Sequence, residues 1–413
     1  MLMRIQCFFR ANFFALAVLL GVTGLIGNTW AENPSPLNAL AMTKPARPII
    51  IPAMPELNAK SYVLMDYNTG KVLAAKEPDA KLPPASMTKM MSMYVISQAL
   101  QNGQIKMDDQ VRVSKEATTV KGSTMFLRQG QLVSVKELIR GIITVSGNDA
   151  TVAMAEHVAG SQNAFVSLMN QEAQQMGLQG SHFMDTTGMP DPDHYSTARD
   201  LATLAMHIIR DYPDHYEWYS DKEFTFNGIR QPNRNRLLWL DSSVDGLKTG
   251  HTEEAGYCLA ASAKKGDMRL IAIVLGTPSD NARTDNTEKL LTYGFRFYET
   301  NKLYQAGKVL ANPRVWQGKV STTPVGLASD LNVTIPRGQY DKLQASIELI
   351  NTLKAPIQKG QPVGRVKVSL NGEEVASAPV LALEDNAKGG LWTRMMDSIS
   401  LAFHNLFSKS NKS

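Results

Sequence analysis

A serine and a lysine three positions apart stand at the start of an apolar segment. Ser86 and Lys89 follow Pro83-Pro84-Ala85, and residues 87–100 have the pattern of an apolar helix. On a helix, positions i and i+3 share one face, so the hydroxyl and the amine lie one turn apart. A serine hydroxyl needs a base to remove its proton, and a lysine whose pKa is lowered by burial and nearby cations serves as one. The pair predicts a serine nucleophile at a helix N-terminus.

A second motif, Ser146-Gly147-Asn148, precedes another helical pattern. The Ser146 hydroxyl is suited to relay a proton between Lys89 and a leaving amine. The Asn148 side chain is suited to bind a substrate amide or to hold Lys89. A glycine-asparagine turn is also common before a helix. This motif therefore predicts a functional site only in combination with the first motif.

A third motif, Lys248-Thr249-Gly250, ends a β-type run. Lys248 supplies positive charge for a substrate carboxylate, and Thr249 supplies a hydroxyl to the same group. Gly250 permits an extended substrate to approach the strand edge closely. By itself, the triplet also fits a strand-end turn.

Each motif alone has a purely structural explanation, and its sequence context decides between that explanation and a functional one. Ser86 suits a helix N-cap and Lys89 a solvated surface. A second Ser-x-x-Lys, at Ser262 and Lys265, spans a predicted hairpin turn, and a second Ser-x-Asn occurs at residues 161–163. Only the first set occurs in fitting contexts and in the order Ser-x-x-Lys, Ser-x-Asn, Lys-Thr-Gly, and that combination predicts a serine acyl-transfer site.

The elements that must position these groups predict an α+β fold. Residues 58–300 place strand patterns near both ends and helical patterns between them, which favours one antiparallel sheet flanked by helices. Predicted strands cover 61–66, 71–75, 257–263 and 269–275. Predicted helices cover 87–100, 136–144, 150–158, 164–176, a segment from an N-cap at Ser196 through 209, and 288–299.

Residues 301–385 change character and predict a separate small all-β domain. Short β-type runs cover 333–335, 345–350, 363–370 and 375–383, and no long helical pattern is present. Asn371-Gly372 lies between the last two runs and is a strong hairpin signal.

The N-terminus predicts export. Residues 1–31 have a positive start, an apolar run too short to span a bilayer and small residues near Ala31, as in a secretory signal peptide. Residues 32–57 are proline-rich and predict an extended leader. Cleavage near Ala31 leaves Cys258 as the one cysteine, so no internal disulfide forms, which suits a bacterial envelope protein.

The C-terminus predicts membrane contact. Residues 391–407 place large apolar and aromatic side chains on one helical face, after a Gly-Gly-containing stretch at 386–390 that is expected to be flexible. One interpretation is a terminal helix docked on its own domain. The aromatic-rich face favours a helix lying in a membrane interface, so 386–413 is predicted to be a linker and an amphipathic membrane anchor.

The charge balance argues against nucleic-acid binding. The formal net charge is +5, and it falls to +3 once the segment holding Arg4 and Arg10 is removed. No long Lys/Arg run or interleaved aromatic pattern is present. The seven histidines form no ligand-spaced cluster, so neither a metal nor another cofactor is expected.

The motif set resembles that of the D-alanyl-D-alanine carboxypeptidases, low-molecular-mass penicillin-binding proteins of the type 5 and 6 group. The similarity covers nearly all of residues 57–410 and is strongest at 82–89, 145–150, 244–252 and 290–296. It implies a β-lactamase/transpeptidase-like domain that removes the terminal D-Ala from peptidoglycan pentapeptides. It also implies peripheral attachment at the periplasmic face of the bacterial inner membrane and covalent inhibition by β-lactam antibiotics such as penicillins.

The same resemblance implies roles for individual residues. Ser86 is the acylated nucleophile and Lys89 its base, with Ser146 and Asn148 on the opposite wall. Lys248, Thr249 and His251 line the sheet edge, the N–H groups of Ser86 and His251 form the oxyanion hole, and Arg283 helps hold the substrate carboxylate. Residues 121–127 resemble a loop beside the site. Arg234 resembles a site-proximal arginine, but the segment leading to Lys248 is one residue shorter here, so Arg234 is not assigned to the site.

Two alternatives remain open. A class A β-lactamase needs a glutamate in a Glu-x-x-Leu-Asn context to activate the deacylating water, and none of the glutamates between the second and third motifs has it: Glu156, Glu172, Glu217 and Glu223. A non-catalytic cell-wall binding protein would use the β domain and the tail alone. The intact Ser86, Lys89 and Lys248 argue against that interpretation.

Overall fold

A computed structural model describes residues 51–410, with side chains described up to residue 401. The predicted signal peptide, 1–31, and residues 32–50 of the predicted leader lie outside the described residues. The remaining part of the leader runs without regular secondary structure along the protein surface, where Leu57 is buried and the Pro52 carbonyl accepts a hydrogen bond from Tyr293 at 3.0 Å.

Nine strands belong to the first unit: β1 (Ser61–Asp66), β2 (Val72–Lys76), β3 (Gln110–Arg112), β4 (Leu132–Ser134), β5 (Glu223–Phe226), β6 (Ile229–Pro232), β7 (Val244–Thr252), β8 (Gly256–Lys265) and β9 (Met268–Thr277). Five of them form one antiparallel sheet in the order β2-β1-β9-β8-β7. The strand β7, which carries the Lys-Thr-Gly motif, is therefore an edge strand.

Nine helices surround this sheet: α1 (Lys89–Gln101), α2 (Lys115–Thr119), α3 (Val135–Thr144), α4 (Asn148–Ala159), α5 (Gln162–Gln175), α6 (Ala198–Asp211), α7 (Pro213–Tyr216), α8 (Leu237–Leu240) and α9 (Asp280–Phe297). The helix α9 covers one sheet face, and α1 and α3–α6 build the layer on the other. The predicted antiparallel sheet flanked by helices is confirmed.

The continuous apolar run in β9 explains how the sheet is covered on both faces. Successive side chains of a strand point to opposite faces. Ile271, Ile273 and Leu275 join the core shared with α1 and α6, whereas Leu270 and Ala272 join the core shared with α9. Burial on both faces makes the sheet a rigid platform for the residues on its edge.

Two predicted helix starts are wrong. The helix α9 begins at Asp280 rather than 288, capped by the Ser279 hydroxyl, which accepts from the Ala282 N–H at 3.1 Å. Its first two turns are polar in sequence, so they show no apolar period. The N-cap of α6 is Thr197 rather than Ser196. The Ser196 hydroxyl instead contacts that of Ser181 at 2.7 Å.

The second unit is built from eight short strands: β10 (Tyr298–Tyr304), β11 (Val315–Trp316), β12 (Val325–Gly326), β13 (Leu331–Pro336), β14 (Leu343–Leu349), β15 (Leu353–Lys354), β16 (Pro362–Leu370) and β17 (Glu373–Ala382). Four of them form a sheet in the order β12-β17-β16-β14. The Asn371-Gly372 hairpin joins β16 to β17, and both residues have positive φ, as a type I′ turn requires.

Buried polar contacts join the two units. Strand β10 follows α9 directly and spans the predicted boundary between residues 300 and 301. The buried Asp66 carboxylate in β1 accepts from the Thr300 hydroxyl at 2.6 Å and from Thr69 at 2.8 Å, and Lys71 donates to the Thr334 carbonyl at 3.0 Å. The second unit is thus attached at the β1–β2 end of the sheet.

The segment that leads into the C-terminal helix is ordered against the second unit. Residues 386–389 do not form the predicted flexible linker, because the Asn386 side chain and backbone groups of this segment are hydrogen-bonded to the second unit. The Asn386 side chain, which is buried, donates to Val320 O at 2.8 Å and Thr323 Oγ1 at 2.9 Å, and the Gly389 N–H donates to Gln317 O at 2.9 Å. The helix α10 (Leu391–Ser410) follows. None of the helices between residues 51 and 410 combines the length and apolar character needed to cross a bilayer.

Candidate active site

The Ser86 turn is a short 3₁₀-helix, Ala85–Thr88, that runs directly into α1. Side chains at i and i+3 eclipse each other in a 3₁₀-helix, and Lys89 Nζ lies 3.0 Å from Ser86 Oγ. Ala85, next to the nucleophile, has φ of +48°. Such backbone strain in a residue other than glycine persists only where surrounding packing enforces it, so the hydroxyl is held in one place.

Lys89 is completely buried, and its surroundings suit a base rather than a permanent cation. Its ammonium donates to Ser86 Oγ and, at 2.7 Å, to Thr187 O. Burial lowers the pKa of Lys89 to about 7; Asp185 and Asp149 act against this fall, and Arg234 adds to it. A sizeable fraction of the amine is therefore neutral near neutral pH and able to accept the serine proton.

The turn between α3 and α4 presents two polar atoms that lack partners. Ser146 is buried, has φ of +60°, and its Oγ has no hydrogen-bond partner among the described residues. Asn148 donates from Nδ2 to Lys121 O at 2.5 Å, while its Oδ1 is buried and equally unsatisfied. Buried polar atoms are rarely left unpaired without a functional reason. Ser146 Oγ and Asn148 Oδ1 are therefore positions where a ligand would complete the hydrogen bonding.

Asp149 fixes the loop at 121–127, which the resemblance places beside the site. Its buried carboxylate accepts from the backbone N–H groups of Met125, at 3.0 and 3.1 Å, and of Leu127, at 3.0 Å. The Asn148 N–H donates to Ser123 O at 2.6 Å. The loop and the Ser-Gly-Asn turn thus form one wall.

Strand β7 forms the facing edge. Lys248 is buried, and its Nζ contacts Thr249 O at 3.2 Å. Burial lowers the pKa of Lys248 well below its usual value, and Lys89, Arg234 and Arg283 lower it further. Several cationic groups therefore converge here. A carboxylate-bearing ligand would restore the charge on Lys248 and stabilise the cluster.

Gly250 has a packing role that the sequence did not predict. A Cβ at this position would lie 2.8 Å from Pro84 O, 3.2 Å from Ala85 Cβ and 3.3 Å from Met87 Cγ. The glycine is needed because β7 packs against the Ser86 turn. The close approach of a substrate to this strand stays a prediction. This contact brings the first and third motifs together.

Arg283 lies behind the strand rather than in the cleft. Its side chain is only 6% exposed. It donates to Gly250 O at 3.2 Å and to Cys258 O at 3.4 Å, and pairs with Asp280. Its Nε has no hydrogen-bond partner among the described residues, and the part in holding a substrate carboxylate that the resemblance implies stays a prediction. Arg283 supports β7 and β8 and adds positive charge behind Lys248.

Arg234 belongs to the site, although sequence reasoning left it out. It donates to Ser123 Oγ at 2.5 Å, and its charge lowers the pKa of both Lys89 and Lys248. The resemblance was the only sequence signal, and the shorter segment before Lys248 had obscured it.

His251 is exposed next to Gly250, stacks on Tyr257 at 3.9 Å between ring centroids, and has Nδ1 at 3.2 Å from Gly256 O.

The arrangement is that of an acyl-transfer site. A nucleophile and a buried amine face an unsatisfied hydroxyl and amide on one wall and a cationic strand edge on the other. Within residues 51–410, no group of three or more His, Cys, Asp or Glu side chains is placed to hold a metal ion.

Comparisons with known proteins agree with this geometry. The sequence family described as D-alanyl-D-alanine carboxypeptidase matches residues 49–279, and the penicillin-binding protein 5 C-terminal domain matches 298–388. The D-alanyl-D-alanine carboxypeptidase DacA of Escherichia coli strain K12 is 46% identical over 366 residues, which cover 87% of this chain and 91% of DacA.

Two solved structures extend the comparison. Penicillin binding protein 5 from Haemophilus influenzae is 45% identical, with a TM-score of 0.79 over 82% of this chain and 100% of its own. Penicillin-binding protein D2 from Listeria monocytogenes, in an ampicillin-bound form, is 28% identical, with a TM-score of 0.55 over 59% of this chain and 99% of its own.

The lowered pKa of Lys89 predicts the pH dependence of acylation. The rate constant for acylation of Ser86 by a chromogenic thioester should rise with pH through an acid limb near pH 7, because the neutral amine is the active form. Lys89→Met should remove the limb and at least about 100-fold of the rate. A limb at the ordinary lysine pKa, or none in the wild type, would contradict the assignment.

The contact of Gly250 with the Ser86 turn predicts a second effect. Gly250→Ala should slow acylation at least about tenfold, because the new Cβ displaces the Pro84 carbonyl and with it Ser86. Gly390→Ala, where a Cβ meets nothing within 4 Å, is the control. Stopped-flow acylation and thermal melting measure both variants. Unchanged acylation in folded Gly250→Ala would show that the contact does not position the nucleophile.

Proposed function

The chain belongs to the D-alanyl-D-alanine carboxypeptidases, and we propose that it removes the terminal D-alanine of peptidoglycan pentapeptides through an acyl-enzyme on Ser86. The observation that carries the assignment is the completely buried Lys89 amine, 3.0 Å from Ser86 Oγ and with a pKa lowered to about 7. A surface lysine beside a capping serine would have neither property.

Acylation begins when the neutral Lys89 amine takes the Ser86 proton. Ser86 Oγ attacks the carbonyl carbon of the penultimate D-alanine, and the carbonyl oxygen becomes an oxyanion. The carbon–nitrogen bond then breaks as the Lys89 proton reaches the leaving amine through the Ser146 hydroxyl. The free Ser146 Oγ supports this relay, since a donor and an acceptor on either side would satisfy it.

Deacylation repeats the chemistry with water. The Lys89 amine accepts a proton from a water molecule that attacks the ester carbonyl, and the proton returns to Ser86 Oγ when the carbon–oxygen bond breaks. The shortened peptide leaves with a new carboxylate. The N–H groups of Ser86 and His251 are the proposed donors to the oxyanion in both steps.

Substrate orientation uses the two walls of the cleft. The terminal carboxylate of the peptide binds Lys248 and the Thr249 hydroxyl at the β7 edge, and the nearby Arg234 adds positive charge. Asn148 Oδ1, unsatisfied in the structure, accepts from a substrate amide N–H. The charged end and the amide together place the scissile bond over Ser86.

Penicillins fit the same groups, since they carry a carboxylate and a reactive amide carbonyl, and a relative has been solved in an ampicillin-bound form. The β-lactamase alternative is not favoured, because none of the four candidate glutamates has the required sequence context and three of them are engaged elsewhere. Glu156 contacts Ser114 and Glu172 contacts Gln98. Glu223 pairs with Arg230. We propose an acyl-enzyme with penicillin that clears slowly.

The helix α10 supports attachment to a membrane surface. Its docked face uses Asp397, which pairs with Arg314 at 3.2 Å and accepts from the Gln317 N–H at 2.6 Å, together with the buried Leu401. Four large apolar residues in the part of α10 whose side chains are described stay exposed: Trp392, Met395, Met396 and Ile399. Because docking leaves the apolar face uncovered, that face is free to enter a bilayer interface.

The location follows from both ends of the chain. A signal peptide ending near residue 31 would export the protein across the bacterial inner membrane, and α10 would hold it at the periplasmic face. Its cell-wall substrate lies in that compartment.

The proposed mechanism predicts two reactions at Ser86, one with a peptide substrate and one with penicillin. Purified protein should release free D-alanine from diacetyl-Lys-D-Ala-D-Ala, and a fluorescent penicillin should add one mass equivalent to the peptide containing Ser86. Ser86→Ala should abolish both while keeping the melting temperature of the wild type. Absence of label and of D-alanine from folded wild-type protein would leave only a binding role. Penicillin turnover at hundreds per second would instead indicate a β-lactamase.

The exposed face of α10 predicts how the protein partitions. Deleting residues 391–413 should move the protein from membranes to the soluble fraction without loss of activity. Ile399→Asp should weaken vesicle binding about tenfold or more, because a charge enters the apolar face. Ser400→Asp, an exposed neighbour, should have a much smaller effect. Membrane retention of the truncated protein, or equal effects of both variants, would contradict the anchor.

A further inference from the structure

The turn at residues 185–189 is organised by one carboxylate. Asp185 accepts from three successive backbone N–H groups, those of Thr187 and Gly188 at 2.6 Å each and that of Met189 at 2.9 Å. Charge-assisted bonds of this kind are stronger than neutral ones. The shape of the turn therefore depends on Asp185.

This turn contacts both reacting residues of the site. The Thr187 carbonyl accepts from Lys89 Nζ at 2.7 Å. Gly188 has φ of +90°, and a Cβ there would lie 1.8 Å from the Ala85 carbonyl oxygen, beside Ser86. A shift of the turn would move the amine and the nucleophile relative to each other.

Two further contacts tie the same segment to the start of α1. The Ser92 hydroxyl donates to Thr186 O at 2.6 Å. The buried His194 accepts from the Met184 N–H on Nδ1 at 3.3 Å, so its Nε2 carries the proton that it donates to Thr88 Oγ1 at 2.8 Å. The turn is thus held against the helix that carries Lys89.

We propose that Asp185 is a positioning residue for acyl transfer: its carboxylate shapes the turn whose Thr187 carbonyl aims the Lys89 amine at Ser86, and its negative charge acts on that amine. The inference rests on the proposed role of Lys89 as the base.

The charges around Lys89 support the electrostatic half of the proposal. Among the nearby charges, Asp185 has the largest effect on the pKa of Lys89, and it raises that pKa. Asp149 also raises the pKa of Lys89, whereas the positive charge of Arg234 lowers it. The carboxylate of Asp185 itself faces His194, whose Nδ1 is 4.0 Å from its Oδ1 and whose pKa is lowered by burial. Removing the Asp185 charge should therefore lower the pKa of Lys89, because burial and Arg234 would be less opposed.

A different use for this carboxylate would be to activate the deacylating water. Its hydrogen bonding argues against that use, since Oδ1 accepts from two backbone N–H groups and Oδ2 from a third. A general base needs a lone pair directed at the water. The two roles make opposite predictions for which step fails.

The test separates charge from shape with two substitutions. Asp185→Asn removes the charge, so the acid limb of penicillin acylation should move to lower pH by about half a unit to one unit. The plateau rate should fall about tenfold as the turn loosens. Asp185→Glu keeps the charge but changes the reach, so its limb should stay in place while its plateau falls. Asp193→Asn, an exposed carboxylate in the same segment, should change neither quantity.

The outcomes that overturn the proposal are distinct. A folded Asp185→Asn protein with the wild-type limb, or an Asp185→Glu protein with the full plateau, would refute it. If Asp185→Asn shows no cooperative melting transition, Asp185→Glu alone decides. Normal acylation with an acyl-enzyme that no longer clears would identify Asp185 as the water-activating base instead. Failure of the wild type to be labelled on Ser86 would refute the proposed function rather than this inference.

Discussion

The burial of a lysine amine beside a serine hydroxyl is the constraint on which the site depends. Removing an ammonium from water is costly, and a protein offsets the cost with hydrogen bonds, with a partner charge, or by releasing the proton. Lys89 has two hydrogen-bond acceptors, neither of them a carboxylate. Lys248 has a single carbonyl contact and several neighbouring cations. Both amines are therefore left short of negative charge. That shortage supports the proposed roles of Lys89 as a base and of the cleft as a site for a carboxylate.

The scaffold has to hold this unfavourable cluster in place. The sheet is buried on both faces, and its edge strand β7 packs on the 3₁₀-turn of Ser86 through Gly250. Positive φ at Ala85 and Ser146 places backbone strain at both sides of the cleft. The carboxylates nearest the site are used structurally: Asp149 binds the loop of Met125, and Asp185 binds its own turn. Acidic groups close to the amines thus shape the walls without neutralising the cleft.

The second unit and α10 extend the same molecule towards a surface. Buried hydrogen bonds at Asp66 attach the second unit to the far end of the sheet, and Asn386 anchors the segment that leads into α10. The helix is docked by a polar contact at Asp397, and Trp392, Met395 and Ile399 stay exposed. With that anchoring, a helix lying in a bilayer would carry the catalytic unit at the end of a connected structure rather than on a loose tether.

The sequence already predicted the chemistry. The pair Ser86 and Lys89 was readable because residues one helical turn apart are a local property, and the order of the three motifs added Ser146 and Lys248. The Asn371-Gly372 hairpin and the strands β8 and β9 were equally readable, since turn chemistry and apolar period are encoded within a few residues. Contacts between distant segments were not readable. Sequence did not reveal that Gly250 meets Pro84, that Arg283 lies behind β7, that Arg234 reaches the cleft, or that Asp185 supports Lys89. The polar first turns of α9 were missed for a related reason, because they are buried only by their packing on the sheet. These features depend on which surfaces meet when the sheet and helices pack, and no local pattern reports that.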